Sequence, residues 1–258
     1  MNYLIGDIGN TSLKICKINN KFRIVKTFFF RTKSVYLEKD LKKKINQITK
    51  NNDICNKILF SSVVPNVYRK IDKIFRKKNF KIFEIKKFGL NKLLKFRVKR
   101  YSQLGSDRIA NAIGAYYKFK TNCIVIDFGT ATTFDVIKKP GIYDGGVITP
   151  GIALSIENLF SSTALLPMFK LKKYPTNYGK NTKEALNSGF FWGYQGLINN
   201  IIKKIIKKNN KNFKVILTGG YSNSFKNKIF KRAVIENDIT IQGVLKVYRK
   251  FLIRVKKN

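Results

Sequence analysis

Cys123-Ile124-Val125-Ile126-Asp127-Phe128-Gly129-Thr130-Ala131-Thr132-Thr133-Phe134-Asp135-Val136 is the stretch on which the reading of this chain turns. An apolar run is followed by a carboxylate, a glycine, small and hydroxyl residues, and then β-formers again, which predicts strand, tight turn, strand. Near the N-terminus Tyr3-Leu4-Ile5-Gly6-Asp7-Ile8-Gly9-Asn10-Thr11-Ser12-Leu13-Lys14-Ile15 repeats the order of Asp, any residue, Gly, then Asn or Thr and hydroxyls. Asp7 and Asp127 stand 120 positions apart. The spacing predicts a duplication of topology rather than of close sequence.

A turn of this kind suits phosphate, because glycine lets the backbone come close and leaves successive N–H groups free to point at an anion. The hydroxyls add donors. An aspartate at the strand end would repel phosphate, so its use is to hold a cation, or the water around one, that phosphate also touches. An Asp before a Gly can equally be plain turn chemistry. Two copies, each after a buried-looking strand, favour the nucleotide reading.

The 258 residues suffice for one large or two modest domains, and 44% hydrophobic content can build their cores. A formal charge of +39, from 53 Lys plus Arg against 14 Asp plus Glu, raises a nucleic-acid hypothesis. The excess is mostly lysine scattered through every surface segment, alongside abundant Asn, Ile and Phe. That pattern fits a compositional background, with non-specific RNA binding expected only at low salt. Against it the few carboxylates stand out. Glu38, Asp40, Asp72 and Glu84 sit among lysines and read as solvated ion-pair partners. Asp7, Asp107, Asp127 and Asp144 sit among glycines, hydroxyls and apolar residues and call for chemistry. Histidine is absent, which removes His bases and His-based metal sites. Cys16, Cys55 and Cys123 are odd in number and far apart, so free thiols in a reducing cytoplasm are expected. The first apolar run contains Asp7 with no basic segment before it, and no run approaches the roughly 18 residues of a bilayer span. A soluble, cytoplasmic protein without membrane partners follows as the expectation.

In chain order, strands are predicted at Tyr3 to Ile8, Ser12 to Ile18 and Phe22 to Phe30, with Asn19-Asn20-Lys21 as hairpin turn. Leu37, Leu41, Ile45 and Ile48 recur at helical spacing over Tyr36 to Lys50. A strand at Ile58 to Val63, a helix at Val67 to Lys77 and a strand at Phe80 to Ile85 complete an α/β layer with parallel pairings. Leu90 to Arg100 reads as a connection into a small-residue helix over Tyr101 to Tyr116. On this helix Asp107 is either a first-turn acid stabilised by the helix dipole or a functional group. Arg108 is one of few arginines in a lysine-rich chain, which suits bidentate contact to carboxylate or phosphate. After the second turn, Ile142 to Thr149 is a strand, and Gly145 to Gly151 is expected to open a helix through Phe160, its glycines being either plain turn residues or an entry that can receive an anion or polar substrate. Residues 161–180 are irregular. Asn181 should cap a long helix, with Glu184 folding back; Thr182 is then a first-turn hydroxyl with or without a ligand. Val215 to Gly220 is a strand ending in a glycine pair, residues 233–235 a last strand, and Thr240 to Arg254 a last helix.

Together these stretches resemble the type III pantothenate kinases of the sugar kinase, heat-shock ATPase and actin superfamily. The resemblance is carried by Asp7-Ile8-Gly9-Asn10-Thr11, Gly105-Ser106-Asp107-Arg108, Asp127-Phe128-Gly129-Thr130-Ala131-Thr132, Gly146 to Gly151, Asn181-Thr182 with Ser188-Gly189, and Thr218-Gly219-Gly220. It implies two related α/β domains of ribonuclease H-like (actin-like ATPase) topology, 1–118 and 119–258, with ATP in a cleft between them. It implies transfer of the γ-phosphoryl group to the primary hydroxyl of pantothenate, the first step toward coenzyme A. By position, Asp7, Ile8, Gly9, Asn10, Thr11, Ser12, Leu13 and Lys14 would form the first ATP-binding loop and Thr130 the second. Asp127 would hold a monovalent cation, K⁺ or NH₄⁺, with Mg²⁺ accompanying ATP. Asp107 would take the proton of the attacking hydroxyl, while Gly105, Ser106, Asp107, Arg108 and Thr182 would bind pantothenate. A homodimer is implied as well. One departure stands out: family members often carry Tyr followed by Asn-Pro where this chain reads Val98 to Tyr101, so that tyrosine contact is missing or taken over by Tyr101. Two rivals remain at this point, a non-catalytic basic regulatory or RNA-binding protein on the same fold, and a kinase for another small alcohol.

Overall fold

In a computed structural model, the structure describes residues 1–36, 38–50, 53–171, 174–229 and 232–253. Its contacts divide the chain into two compact units, residues 1–118 with 238–258, and residues 119–237.

The first unit opens with three strands, β1 (Asn2–Ile8), β2 (Ser12–Ile18) and β3 (Ile24–Arg31). They pair antiparallel, and β1 and β2 bury most of their apolar residues. The turn after β2 is longer than the three residues expected. Phe22 adopts a left-handed φ of 60°, and Asn19 Oδ1 accepts from the N–H groups of both Lys21 and Arg23, so Phe22 belongs to the turn. Next come α1 (Glu38–Ile48), β4 (Ile54–Ser62), α2 (Pro65–Arg76) and β5 (Lys81–Glu84). Leu37 of the predicted helix lies outside the described residues, as do the side chains of Glu38 and Asp40. Strands β4 and β5 join β1 in parallel, which makes the order β3-β2-β1-β4-β5. Leu41, Ile45 and Ile48 of α1 and Val67, Ile71, Ile74 and Phe75 of α2 pack on Leu4, Ile8, Leu13, Ile15, Ile58 and Phe60 of the sheet. Leu90 to Arg100 is a connection as expected, apart from short 3-10 turns and the two-residue strand β6 (Lys95–Phe96). Helix α3 (Ser106–Phe119) follows.

The sequence division placed everything after residue 118 in one domain, but Asp238 onward counts with the first unit. The reason is close helix packing. A Cβ on Gly243 would collide with the Ala110 carbonyl, and one on Gly114 with the Ile239 carbonyl. The last helix, α7 (Ile239–Phe251), therefore lies directly on α3, and it also packs on β1. The predicted end of that helix at Arg254 lies outside the described residues.

The second unit repeats the plan. Strands β7 (Cys123–Phe128), β8 (Ala131–Lys138) and β9 (Ile142–Pro150) are antiparallel neighbours. Helix α4 (Ile152–Ser161), the 28-residue α5 (Thr182–Asn209), β10 (Lys214–Gly219), the one-turn α6 (Ser222–Phe225) and β11 (Ala233–Ile235) complete it. β10 runs parallel to both β7 and β11, so these five strands lie in the order β9-β8-β7-β10-β11, the same pattern as the first sheet. Gly145 and Gly146 lie inside β9 rather than at a helix entrance. Gly145 takes a φ of 110° near an irregularity in the pairing with β8, and only Gly151 flanks α4. Among the described residues, no helix is long and apolar enough to cross a membrane.

Candidate active site

The loop between β1 and β2 presents Asn10, Thr11 and Ser12 exposed at its tip, while Ile8 and Leu13 on either side are fully buried. Of the eight residues expected to form this loop, those two can serve a ligand only through their backbone. Gly9 N–H donates to Ser12 O at 2.9 Å, closing the hairpin. Thr32, which nothing in the sequence singled out, holds it from behind: its Oγ1 donates to Gly9 O at 2.7 Å and its N–H to Thr11 O at 2.9 Å. Asp7, at the end of β1, lies across from Lys14 on one side and Ser61 on the other. Lys14 Nζ reaches Asp238 Oδ1 at 2.5 Å and sits 5.4 Å from the centroid of the Phe29 ring. Asp238 lies immediately before α7 and was not among the expected site residues.

Gly105-Ser106-Asp107-Arg108 forms the turn into α3 and its first turn. The Asp107 carboxylate folds back, its Oδ1 accepting from Arg108 N–H at 2.7 Å. Burial raises the Asp107 carboxyl above its ordinary value, opposed by that backbone bond and by the positive charges of Arg108 and Lys86. Val63 brings this motif and the first loop together: its N–H donates to Ile8 O at 3.0 Å, and its side chain would meet a Cβ on Gly105 at 3.6 Å. Glu84 overturns its expectation as a solvated partner of lysines. Its part-buried carboxylate accepts from Ser106 Oγ at 2.6 Å and from Lys86 N–H at 2.7 Å. Asp72, by contrast, pairs with Arg76 one turn on, as expected. The Tyr101 ring packs against Phe96 with centroids 4.9 Å apart and lies 6.0 Å from Lys86 Nζ.

In the second unit the turn between β7 and β8 is one residue shorter, with Gly129 N–H donating to Ala131 O at 3.1 Å. Gly129 and Thr130 are exposed at its tip. Asp127, next to last in β7, lies across from Thr133 on β8 and Thr218 on β10. The Thr133 hydroxyl is buried and has no hydrogen-bond partner among the described residues. Gly219, at a φ of 84°, brings bare backbone against this group; a Cβ there would stand 2.7 Å from Asp127 Oδ1 and 2.6 Å from Phe128 O. Carboxylate, hydroxyl and carbonyl oxygens of this kind fit a hard cation. Asp144, expected to carry chemistry, instead pairs with Lys138. Sequence patterning also gave no sign that Asp135 is fully buried, accepting from Tyr143 Oη at 2.7 Å.

Thr182 opens α5. Asn181 Oδ1 accepts from Glu184 N–H at 3.0 Å, and Glu184 Oε2 accepts from Lys180 N–H at 3.0 Å, so the expected reciprocal cap is present, displaced by one residue on the return bond. Thr182 lines an apolar cavity of about 600 Å³ together with Pro150, Leu159, Leu186, Phe190 and Leu197. Leu165, 93% exposed, and Phe160, Met168 and Trp192 add apolar surface on this unit.

The profile of the type III pantothenate kinase family matches residues 3–204. A type III pantothenate kinase of Pelagibacter ubique is 46% identical over 245 residues, which is 94% of this chain and 97% of that protein. One from Fusobacterium nucleatum is 36% identical over 251 residues, again 94% and 97% of the two chains. Among solved structures, the activator of 2-hydroxyisocaproyl-CoA dehydratase from Clostridium difficile, with bound ADPNP, superposes with a TM-score of 0.53 at 11% identity over 100% of both chains. The ethanolamine utilization protein EutJ of Carboxydothermus hydrogenoformans gives 0.53 at 12% identity over 95% of this chain and 89% of its own. The two structural likenesses concern the fold, which is that of the sugar kinases and actin-like ATPases, with ribonuclease H-like topology in each unit.

Proposed function

Since the chain belongs to the type III pantothenate kinase family, we propose that Asp107 receives the proton of the attacking pantothenate hydroxyl and that Asp7 to Lys14 and Thr130 bind the phosphates of ATP. The reaction is the ATP-dependent phosphorylation of pantothenate to 4′-phosphopantothenate, the first step of coenzyme A biosynthesis. The observation that carries the assignment is the folded-back Asp107 carboxylate, held by Arg108 N–H and joined through Val63 to the first loop.

Phosphoryl transfer passes through a loose transition state, in which positioning and charge neutralisation supply most of the catalysis. The exposed tips at Asn10 to Ser12 and at Thr130 offer N–H and hydroxyl donors to phosphate oxygens. Lys14 adds a cation whose position Asp238 already defines. Asp107 orients the hydroxyl and accepts its proton late, and the higher basicity that burial confers favours that acceptance. Gly105 to Arg108, the buried Ser106 through its backbone alone, are assigned to pantothenate, and so is Thr182, which lines the apolar cavity.

Two cations are part of this reading. Asp127, Thr133 Oγ1 and the Phe128 carbonyl would hold K⁺ or NH₄⁺ through oxygen ligands. Asp7, with the buried Ser61 hydroxyl that has no partner among the described residues, would hold the water shell of Mg²⁺. When bound, these ions neutralise charge on the phosphates. A homodimer is supported by the apolar surface at Phe160, Leu165, Met168 and Trp192, and a cytoplasmic location by three free thiols.

A substrate screen tests the reading. Protein supplied with ATP, Mg²⁺ and K⁺ should convert pantothenate to a product heavier by one phosphoryl group on mass analysis. Faster conversion of a different small alcohol would overturn the substrate assignment.

A further inference from the structure

We propose that Glu84 is a positioning residue for Asp107, acting through the hydroxyl of Ser106. The inference rests on the reading of Asp107 as the proton acceptor and adds a group outside the Gly-x-Asp-Arg motif. Glu84 ends β5, where its backbone pairs with Phe60 of β4. Its carboxylate collects donors from two separate segments: the Lys86 N–H just after β5 and the Ser106 hydroxyl at the start of α3. The first turn of α3 is thereby tied to the sheet that carries the first loop.

Ser106 is 2% exposed and directly precedes Asp107. Its bond to Glu84 sets the rotation of the helix start about its axis, and with it the direction in which the Asp107 side chain leaves the backbone. Gly105 leaves room for that direction, because a Cβ there would collide with Asp107 Oδ1. Glu84 also acts along a second route. By holding Lys86 N–H it fixes the turn whose ammonium donates to Ser102 O at 2.9 Å and contributes positive charge near Asp107. A carboxylate suits these duties better than an amide, since every bond it makes is an accepted one. Glutamine keeps the volume but can meet Ser106 Oγ with its N–H₂ only if that hydroxyl turns to accept, so the charge-assisted bond donated by Ser106 is lost.

A kinetic cycle tests the proposal, using Glu84→Gln, Ser106→Ala and Asp107→Asn in the full chain and the doubles that combine each of the first two with the third. Circular dichroism verifies that each is folded. Glu84→Gln and Ser106→Ala are each expected to lower kcat about tenfold while leaving KM for ATP within about twofold, since a displaced carboxylate affects the transition state and not nucleotide binding. In the Asp107→Asn background the same substitutions should change the residual rate less than about twofold, because the group they position is already gone. Losses that multiply in the doubles, or single variants with unchanged kcat, would overturn the positioning role while leaving Asp107 in place. A single Asp107→Asn variant with the wild-type rate would instead remove the proton acceptor itself, and the role of Glu84 with it.

Discussion

Replacing Gly105 by alanine should separate activity from stability. A Cβ at this position collides with Asp107 Oδ1, whereas its next neighbour, Val63 Cγ1, stands at an ordinary 3.6 Å. Gly105 is not in the left-handed region, so alanine meets no backbone strain there. The methyl group fits once the Asp107 carboxylate swings off the Arg108 N–H, to which it is now bonded at 2.7 Å. A hydrogen bond to a charged acceptor is worth about 1.5–3 kcal/mol. Part of that returns when the carboxylate regains solvent, and alanine restricts the unfolded chain by about 0.4–1 kcal/mol. The net stability change should therefore stay within about 1.5 kcal/mol. A misplacement of about 1 Å at a reacting group, in contrast, costs about 10²-fold in rate, or about 2.7 kcal/mol of transition-state stabilisation. Coupled measurement of ADP release at saturating pantothenate reads the rate, and thermal unfolding reads the stability. A folded Gly105→Ala protein with kcat within about twofold of wild type would refute the reasoning, because the collision would then have no consequence for the carboxylate.

The cation reading predicts that exchanging K⁺ for Na⁺ lowers kcat and that Asp127→Asn removes the difference between the two salts; equal rates in both salts with the unmodified protein would remove the cation from Asp127. Asn181→Ala deletes the 3.0 Å bond to Glu184 N–H and should lower stability by about 1 kcal/mol, read as a fall in Tm, with no fall counting against the cap. Because burial raises the Asp107 carboxyl, and the proton acceptor works only when ionised, the acid limb of kcat/KM should fall at a pH above the ordinary aspartate value of about 3.9. A pH titration of initial rates checks this; a limb at or below that value would contradict it.

Both loops are legible in the sequence because apolar strand runs and the Asp-x-Gly turn are local signals, and the parallel β4 and β5 follow from strands alternating with helices. The Asn181 cap was legible for the same reason, since its partners lie within three residues on either side. Long-range packing was not legible. Nothing near Gly243 reveals that its missing Cβ admits the Ala110 carbonyl, so the last helix was grouped with its sequence neighbours and not with α3. Gly145 and Gly146 carry the local signature of a helix entrance but serve an irregular strand. The sequence neighbours of a carboxylate indicate the ion-pair partner of Asp72 but not the partners of Glu84 and Asp144. Glu84 finds its hydroxyl partner 22 residues away, and Asp144 finds Lys138 across the turn that separates β8 from β9. Asp238 escaped notice because Lys14, its partner, lies 224 positions earlier.

The rate of phosphoryl transfer by Asp107→Asn, measured in a single turnover with enzyme in excess over pantothenate, bears most directly on the account. Asparagine keeps the oxygen that accepts from Arg108 N–H but cannot take up the proton of the hydroxyl. The expected result is a folded protein that still binds ATP and transfers the phosphoryl group about 10²- to 10⁴-fold more slowly than wild type. Transfer at the wild-type rate would contradict the central claim.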